Sequence, residues 1–172
     1  MIFVTVGTQM PFDRLVRAVD QWAGSTGRRD IFAQIGAGGE RPVHLEWREF
    51  IEPAEHRQRL QSASLVIGHA GMGTIISALE LGVPVLVMPR RAELREHRND
   101  HQVATARRFE ELGKVTVAYD EHSLRAQLEH VDQIRVRSGI EAGAADALLG
   151  ALRRFVAEAA SRRDPGASGP AV

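Results

Sequence analysis

The sequence contains no cysteine and carries no net charge. The absence of cysteine excludes disulfide bonds, thiolate metal ligands and a cysteine nucleophile. Because 22 basic residues balance 22 acidic ones, there is no electrostatic footprint for nucleic-acid binding. No apolar run approaches the roughly 20 residues that a membrane-spanning helix needs, and no signal-peptide pattern follows Met1. We therefore expect a soluble, cytoplasmic chain.

The segment 65–88 has the order strand, glycine turn, helix, strand. An apolar run begins at Leu65, a small-residue turn covers residues 68–73, and Thr74 opens a helical pattern. Gly82 and Pro84 end that helix before a second apolar strand over residues 85–88. This order predicts a right-handed βαβ unit with parallel strands. Residues 2–22 repeat the strand, turn and helix order, so the whole chain is predicted to be α/β.

The glycine turn at residues 68–73 is the first functional signal. Glycines allow close approach of the backbone to a ligand, and a helix N-terminus offers unpaired N–H groups and partial positive charge. Together they predict a phosphate site at the carboxyl end of a strand. Two alternatives remain open: a turn whose glycines serve only packing, and an NAD-type site. The spacing matches neither a Walker A motif nor the Gly-x-Gly-x-x-Gly fingerprint.

Several residue strings together resemble the donor half of GT-B glycosyltransferases, and in particular the small Alg13-like, PssE-like subunits of family 28. The strings are His69-Ala70-Gly71, Gly73-Thr74-Ile75-Ile76, residues 78–84, Pro89-Arg90-Arg91, Glu96-His97, Asn99-Asp100-His101-Gln102, Val6-Gly7-Thr8-Gln9 and residues 11–15. They occur in the same order as in that family. The resemblance covers most of the chain up to Tyr119.

The resemblance implies a fold and a function. The expected fold is a single GT-B donor-type domain with a Rossmann-like parallel sheet and helices on both faces. The expected function is that of the catalytic, donor-binding subunit of a two-component inverting glycosyltransferase in polysaccharide or oligosaccharide biosynthesis. It would move a sugar from a UDP-sugar to a lipid-linked glycan, without a cofactor or metal. A membrane-anchored Alg14-like or PssD-like subunit would bind the acceptor at the inner face of the membrane, and the isolated chain could form a homodimer.

The resemblance also implies site residues. Those expected to bind the nucleotide and diphosphate are Thr8, Gln9, Phe50, Ile51, His69, Gly71, Met72, Gly73, Thr74, Ser77 and Arg90, and those expected to bind the sugar are Asp100, His101 and Gln102. A ribose contact from the central helix is expected, but Ser77 departs from the family pattern because larger relatives carry a glutamate at this position. His69 is the local candidate for the general base because the histidine pKa lies near neutrality, although we expect the partner to supply the base.

Other interpretations of these residues remain open. Thr8 could cap the following helix, and residues 99–102 could cap theirs. The arginine-rich segment 90–98 could be a solvated surface. His97 and His101 are four residues apart, as metal ligands can be, but no third ligand is evident. A nucleotide-sugar-binding module without transferase activity would show the same motifs.

The C-terminal part of the chain has two predicted segments. A helical pattern runs from about Ile140 to Ala160, with an apolar stripe that could pack on its own sheet or dock a partner chain. Residues 161–172 are rich in Gly, Pro, Ser and Arg and are predicted to be a disordered tail. The expected domain therefore covers residues 1–160.

Overall fold

The computed structural model describes residues 1–135, which belong to one compact unit. The predicted helix over 140–160 and the end of the predicted domain, with the tail at 161–172, lie outside the described residues. The strands are β1 (Ile2–Thr5), β2 (Ile31–Gln34), β3 (Glu46–Arg48), β4 (Leu65–His69), β5 (Val85–Met88) and β6 (Thr116–Val117). The α-helices are α1 (Asp13–Thr26), α2 (Pro53–Ser62), α3 (Met72–Glu80), α4 (His101–Glu111) and α5 (Glu121–Glu129).

The six strands form one parallel sheet in the order β3-β2-β1-β4-β5-β6. The chain moves outward from β1 through β2 to β3, then crosses back to place β4 on the other side of β1. The strand order therefore reverses between β1 and β4. In open α/β sheets, ligands bind at this reversal, outside the carboxyl ends of the strands.

Both faces of the central strands are buried, as in other parallel sheets covered by helices. Ile2 and Val4 join residues of α1 and α5 in one apolar cluster. Phe3 points to the opposite face because side chains alternate along a strand, and its ring meets His56 of α2 edge-on at 5.3 Å. The predicted α/β fold with helices on both faces is confirmed.

The sheet has a short edge strand. β3 covers only Glu46–Arg48 and is largely exposed. Short, polar edge strands are common because they limit unwanted pairing. The helix of the central βαβ unit, α3, begins at Met72, two residues before the expected start at Thr74. No helix within residues 1–135 has the length and apolarity needed to cross a bilayer.

Candidate functional site

A cleft of about 500 Å³ lies at the carboxyl ends of β1, β2 and β4, beside the reversal of strand order. It is lined by Thr5, Val6, Gly7, Thr8, Gln9, Met10, Gln34, Phe50, Ile51, Pro53, His56, His69, Gly71, Gly73, Thr74, Ser77, Arg90, His97, His101 and Gln102. This lining contains no carboxylate side chain and includes one arginine and four histidines. The composition favours an anionic ligand over a cationic one.

All the sequence-predicted site residues except Met72 and Asp100 line this cleft. The two neighbouring apolar residues predicted for the site differ in exposure: Phe50 is 59% exposed, whereas Ile51 is buried. The alternative in which Thr8 caps the first helix is wrong, because the N-cap of α1 is Phe12. Thr8 and Gln9 instead belong to the β1–α1 loop, which we define as residues 6–12.

The N-terminus of α3 opens into the cleft. Its N-cap is Gly71, which has no side chain to satisfy the first-turn N–H groups, and the first turn contains no acidic residue. A methyl group added at Gly73 would meet no protein atom within 4 Å, so the space above it is open. Unpaired N–H groups and the positive end of the helix dipole therefore face open space, where an oxyanion is stabilised.

His69, the last residue of β4, is held between the two glycine turns. A Cβ atom at Gly71 would lie 2.1 Å from its Nε2, and one at Gly7 would lie 2.7 Å from its Cε1. Its Nδ1 is buried without a hydrogen-bond partner among the described residues. Burial, assisted by the positive charge of Arg90, lowers the pKa of His69 to about 4. The ring is therefore neutral and sterically confined at neutral pH, which suits packing and ligand contact better than general-base chemistry.

Arg90 is placed differently from the sequence-based expectation. Its guanidinium donates to the carbonyl oxygens of Val6 (2.9 Å), Met10 (2.6 Å) and Pro11 (2.6 Å). The residue is only 2% exposed, so the prediction of a solvated arginine surface is wrong at this position. The guanidinium lines the cleft but is bonded to the β1–α1 loop. Arg91, the other arginine of the pair, bonds Glu93 on the surface.

The sugar-side residues lie on α4 and the segment before it. The Oε1 atom of Gln102 accepts a hydrogen bond from the backbone N–H of Arg90 at 3.1 Å, and its Nε2 has no partner among residues 1–135. The rings of His97 and His101 meet edge-on at 4.3 Å. Burial, with a smaller effect of His97, lowers the pKa of His101. Gln102 thus has a donor left for a ligand hydroxyl group.

Asp100 and Met72 lie outside the lining. The Oδ1 atom of Asp100 accepts from the backbone N–H of Ala92 at 2.9 Å, so this carboxylate stabilises the preceding loop. Asp100 is the N-cap of α4 by position, yet its side chain makes no capping bond. Met72 is the first residue of α3, so its backbone N–H group lies at the helix start.

Sequence reasoning missed a buried polar network at the ends of β1 and β2. The Thr5 hydroxyl donates to Gln34 Oε1 at 2.9 Å, and Gln34 Nε2 donates to the carbonyls of Gly7 and Glu49, both at 3.1 Å. Gln34 thereby joins the β1–α1 loop to the segment that carries Phe50. Both residues are polar and end otherwise apolar strands, a signal that was available in the sequence. His97 also lines the cleft, although the sequence suggested an individual role for it only as a metal ligand. Within residues 1–135, no three His, Asp or Glu side chains lie close enough together to hold a metal ion.

Comparison with known proteins identifies the family of the chain. The sequence model of the glycosyltransferase family 28 C-terminal domain matches residues 1–147. The chain belongs to this family.

Relatives within the family are similar over part of their length. The UDP-N-acetylglucosamine transferase subunit ALG13 of Homo sapiens is 31% identical over 122 residues, which are 65% of this chain and 10% of that protein. The Mus musculus protein of the same name is 32% identical over 121 residues, 64% of this chain and 10% of its own length. The chain therefore spans about a tenth of the length of these relatives.

Solved structures show the same fold. The NMR structure of ALG13 superposes with a TM-score of 0.59 at 21% identity, covering 90% of this chain and 94% of that one. A UDP-glucose:anthocyanidin 3-O-glucosyltransferase in complex with UDP superposes at 0.57 and 16% identity, over 91% of this chain and 35% of that enzyme. The described domain thus corresponds in fold to the ALG13 domain and to part of a larger glycosyltransferase.

Proposed function

We propose that this chain is the donor-binding, catalytic subunit of a two-component inverting glycosyltransferase that uses a UDP-sugar. The observation that carries the proposal is the open N-terminus of α3 in a cleft without carboxylates. A nucleoside diphosphate is the ligand whose charge suits this arrangement, because backbone N–H groups and the helix dipole bind phosphate oxygens. Membership of family 28 supports the choice of a glycosyltransferase over an NAD enzyme.

In this proposal the acceptor hydroxyl attacks the anomeric carbon while UDP leaves from the opposite side. Negative charge grows on the terminal phosphate as the glycosidic bond to it breaks. The N–H groups of Met72, Gly73 and Thr74 stabilise that charge, and because they are already oriented they need no reorganisation during the reaction. A metal ion is not required for this step, so we expect a chelator to leave transfer unchanged.

The ends of the donor bind to different elements. Phe50, exposed at the rim, offers a ring face to the base, while Ile51 and the nearby backbone enclose it. The free Nε2 of Gln102 donates to a sugar hydroxyl, and His101 lies one residue before it. Discrimination between donor sugars is strong at such a position. A sugar that lacks the matching hydroxyl leaves the buried side-chain amide without a hydrogen-bond partner.

We infer that the general base lies outside the described cleft. The cleft has no carboxylate, and His69 has a pKa of about 4 and is confined between two glycines. We therefore assign the base to the acceptor-binding partner, a membrane-anchored chain that would hold a lipid-linked glycan at the cytoplasmic face. The name of the human relative, a transferase subunit, supports a partner of this kind.

The decisive experiment is calorimetric titration of the chain with UDP, a panel of UDP-sugars and NAD. We expect binding of UDP and of one UDP-sugar, and transfer to a lipid-linked acceptor only after the partner is added. Binding of NAD in place of UDP would overturn the proposal. Donor binding without transfer in the presence of the partner would favour a binding module without activity.

Two isosteric variants separate the parts of the site. Thr74→Val removes a hydroxyl at the phosphate end and should weaken UDP and UDP-sugars alike. Gln102→Glu keeps the acceptor for the Arg90 N–H but removes the free donor, so it should weaken the UDP-sugar more than UDP, which only the added negative charge affects. Gln21→Glu, on the exposed side of α1, is the matched control and should change neither affinity.

A further inference from the structure

Two arginines connect the β1–α1 loop and the first turn of α1 to the loop between β5 and α4, which we call the β5–α4 loop and define as residues 89–100. Arg90 leaves the end of β5 and reaches three carbonyl oxygens of the β1–α1 loop. Arg14 leaves the first turn of α1 and reaches the β5–α4 loop in the opposite direction. Each loop is therefore held by an arginine whose backbone belongs to the other side.

The Arg14 half of this arrangement is a two-pronged ion pair with Glu96. Arg14 Nε lies 2.6 Å from Glu96 Oε1, and its NH2 lies 2.8 Å from Oε2. The same NH2 group donates to the carbonyl of Pro89 at 3.3 Å. Both side chains are largely buried, at 12% and 14% exposure, so solvent screens the pair less than a surface pair. Two parallel bonds also fix the direction of the pair.

Glu96 transmits this constraint to its own loop. Its Oε2 atom also accepts the backbone N–H of Arg91 at 2.9 Å, closing the loop on itself. The residue before it, Arg95, has φ of 57°, the only positive value at a non-glycine residue within residues 1–135. A conformation of this kind persists only where surrounding contacts enforce it. His97, which lines the cleft, follows directly.

Phe12 lies between the two arginines. The Arg90 guanidinium carbon is 4.6 Å from the centre of its ring, and that of Arg14 is 5.4 Å away. The ring is fully buried and offers both cations an attractive π face. The two arginines and Phe12 therefore form one packed unit.

Within residues 1–135, no other side-chain hydrogen bond or ion pair joins these loops. Strands β1 and β5 are not neighbours, because β4 lies between them. Within residues 1–135 no backbone-to-backbone hydrogen bond connects residues 6–12 with residues 89–100. The arginine side chains therefore provide the hydrogen bonds that join the two loops directly.

We propose that Arg14, Glu96 and Arg90 are positioning residues that hold the β1–α1 loop and the β5–α4 loop in register across the end of β4, and so set the orientation of the donor sugar. The inference rests on the proposed function for the identity of the ligand. One loop carries Thr8 and Gln9, and the other carries His97 and leads to His101 and Gln102. The phosphate contacts of α3 lie outside both loops, and Glu96 belongs to the loop that leads to His101 and Gln102, so disturbing Glu96 should affect the sugar more than the UDP part.

The binding test compares Glu96→Gln with the wild-type chain. We expect the ratio of UDP to UDP-sugar dissociation constants to fall about tenfold, because small misplacements of positioning groups are costly. The affinity for UDP itself should change by less than about twofold, as for independent sites. Asp30→Asn is the matched control, because Asp30 forms a similar two-pronged pair with Arg28 away from the cleft. An unchanged ratio, or equal losses for UDP and UDP-sugar, would overturn the proposal.

A second measurement does not need a ligand and separates this inference from the proposed function. Backbone ¹⁵N relaxation should show order parameters falling toward about 0.6 in both loops when only one arginine is altered. Arg90→Met should loosen residues 91–97, and Arg14→Lys, which keeps the charge without the planar fork, should loosen residues 7–11. Mobility confined to the loop that the altered side chain contacts directly would refute the coupling. If the wild-type chain binds no UDP, the proposed function fails. The relaxation result still shows whether the arginines couple the two loops.

Discussion

Replacing Gly71 by alanine tests the confinement of His69 in isolation. Gly71 has φ of −84° and ψ of 130°, which any residue adopts, so alanine suffers no backbone strain there. Its Cβ atom, however, would lie 2.1 Å from Nε2 of His69 and 2.8 Å from Cδ2. The main cost of the substitution is therefore the steric conflict with the imidazole ring, added to a smaller loss because alanine is a poorer N-cap residue than glycine.

The size of that cost follows from the limited freedom of the ring. His69 cannot move far toward Gly7, because a Cβ there would already be 2.7 Å from Cε1, so the ring nearly touches the Gly7 backbone. Inserting a methyl group into a site with so little room costs about 1–3 kcal/mol. For a domain of this size, such a loss lowers the melting temperature by roughly 2–12 °C.

Gly73→Ala is the matched control two residues further on. A methyl group at Gly73 meets no protein atom within 4 Å, and alanine is the better helix former, so stability should rise by about 0.5–1 kcal/mol. The same methyl group enters the space proposed for the diphosphate. Gly73→Ala should therefore be more stable than wild type but bind UDP more weakly.

The assay is urea unfolding of both variants with calorimetric titration of UDP. Combining Gly71→Ala with His69→Ala should recover stability relative to the sum of the two single changes, because the clash disappears with the ring. Wild-type stability of Gly71→Ala, or strictly additive energies in the double variant, would refute the confinement of His69. Tighter UDP binding by Gly73→Ala would contradict the diphosphate site.

Three further predictions concern separate parts of the molecule. Because burial lowers the pKa of His69 to about 4 while an unfolded histidine titrates near 6.5, the unfolded chain binds the proton more readily between these values. The free energy of unfolding should therefore fall by up to about 3 kcal/mol as the pH drops from 6.5 to 4, and His69→Gln should flatten this dependence in urea titrations; an equally steep profile would contradict it. Asp120→Ala removes the capping box of α5, in which Ser123 N–H donates to Asp120 at 2.7 Å, and should cost about 1 kcal/mol by thermal unfolding with no change in UDP affinity. Phe50→Ala, at a 59% exposed ring, should leave the melting temperature within error but weaken UDP about tenfold, since stacking on a base is worth about 1–3 kcal/mol; equal affinity would exclude a stacking role.

The order and type of the elements follow from local sequence patterns. The apolar run at 85–88 was predicted with the bounds that β5 has. This pattern is informative because β5 is buried on both faces. The edge strands β3 and β6 are short, so periodicity offers few residues to count there.

Which residues share a cleft was predicted largely through family resemblance, but the hydrogen bonds of Arg90 and Asp100 were not. Arg90 was expected to reach a phosphate and instead bonds three carbonyls, because a loop distant in sequence presents acceptors at that point. Asp100 was expected at the sugar and instead bonds the N–H of Ala92. Both outcomes depend on backbone groups of loops, and loop conformation leaves little trace in residue types.

The amino-acid sequence by itself determined a parallel α/β domain with a glycine turn at the start of a central helix, because hydrophobic period and glycine placement act over a few neighbouring residues. Tertiary structure alone decided the strand order that places the ends of β1 and β4 together, and hence the position of the cleft. It also decided the contacts that Arg14 and Arg90 make between these segments. Arg14 and Glu96 are 82 residues apart in the sequence, and Arg90 and Val6 are 84 residues apart. Contacts over such separations depend on how the sheet brings distant segments together, which no local pattern encodes.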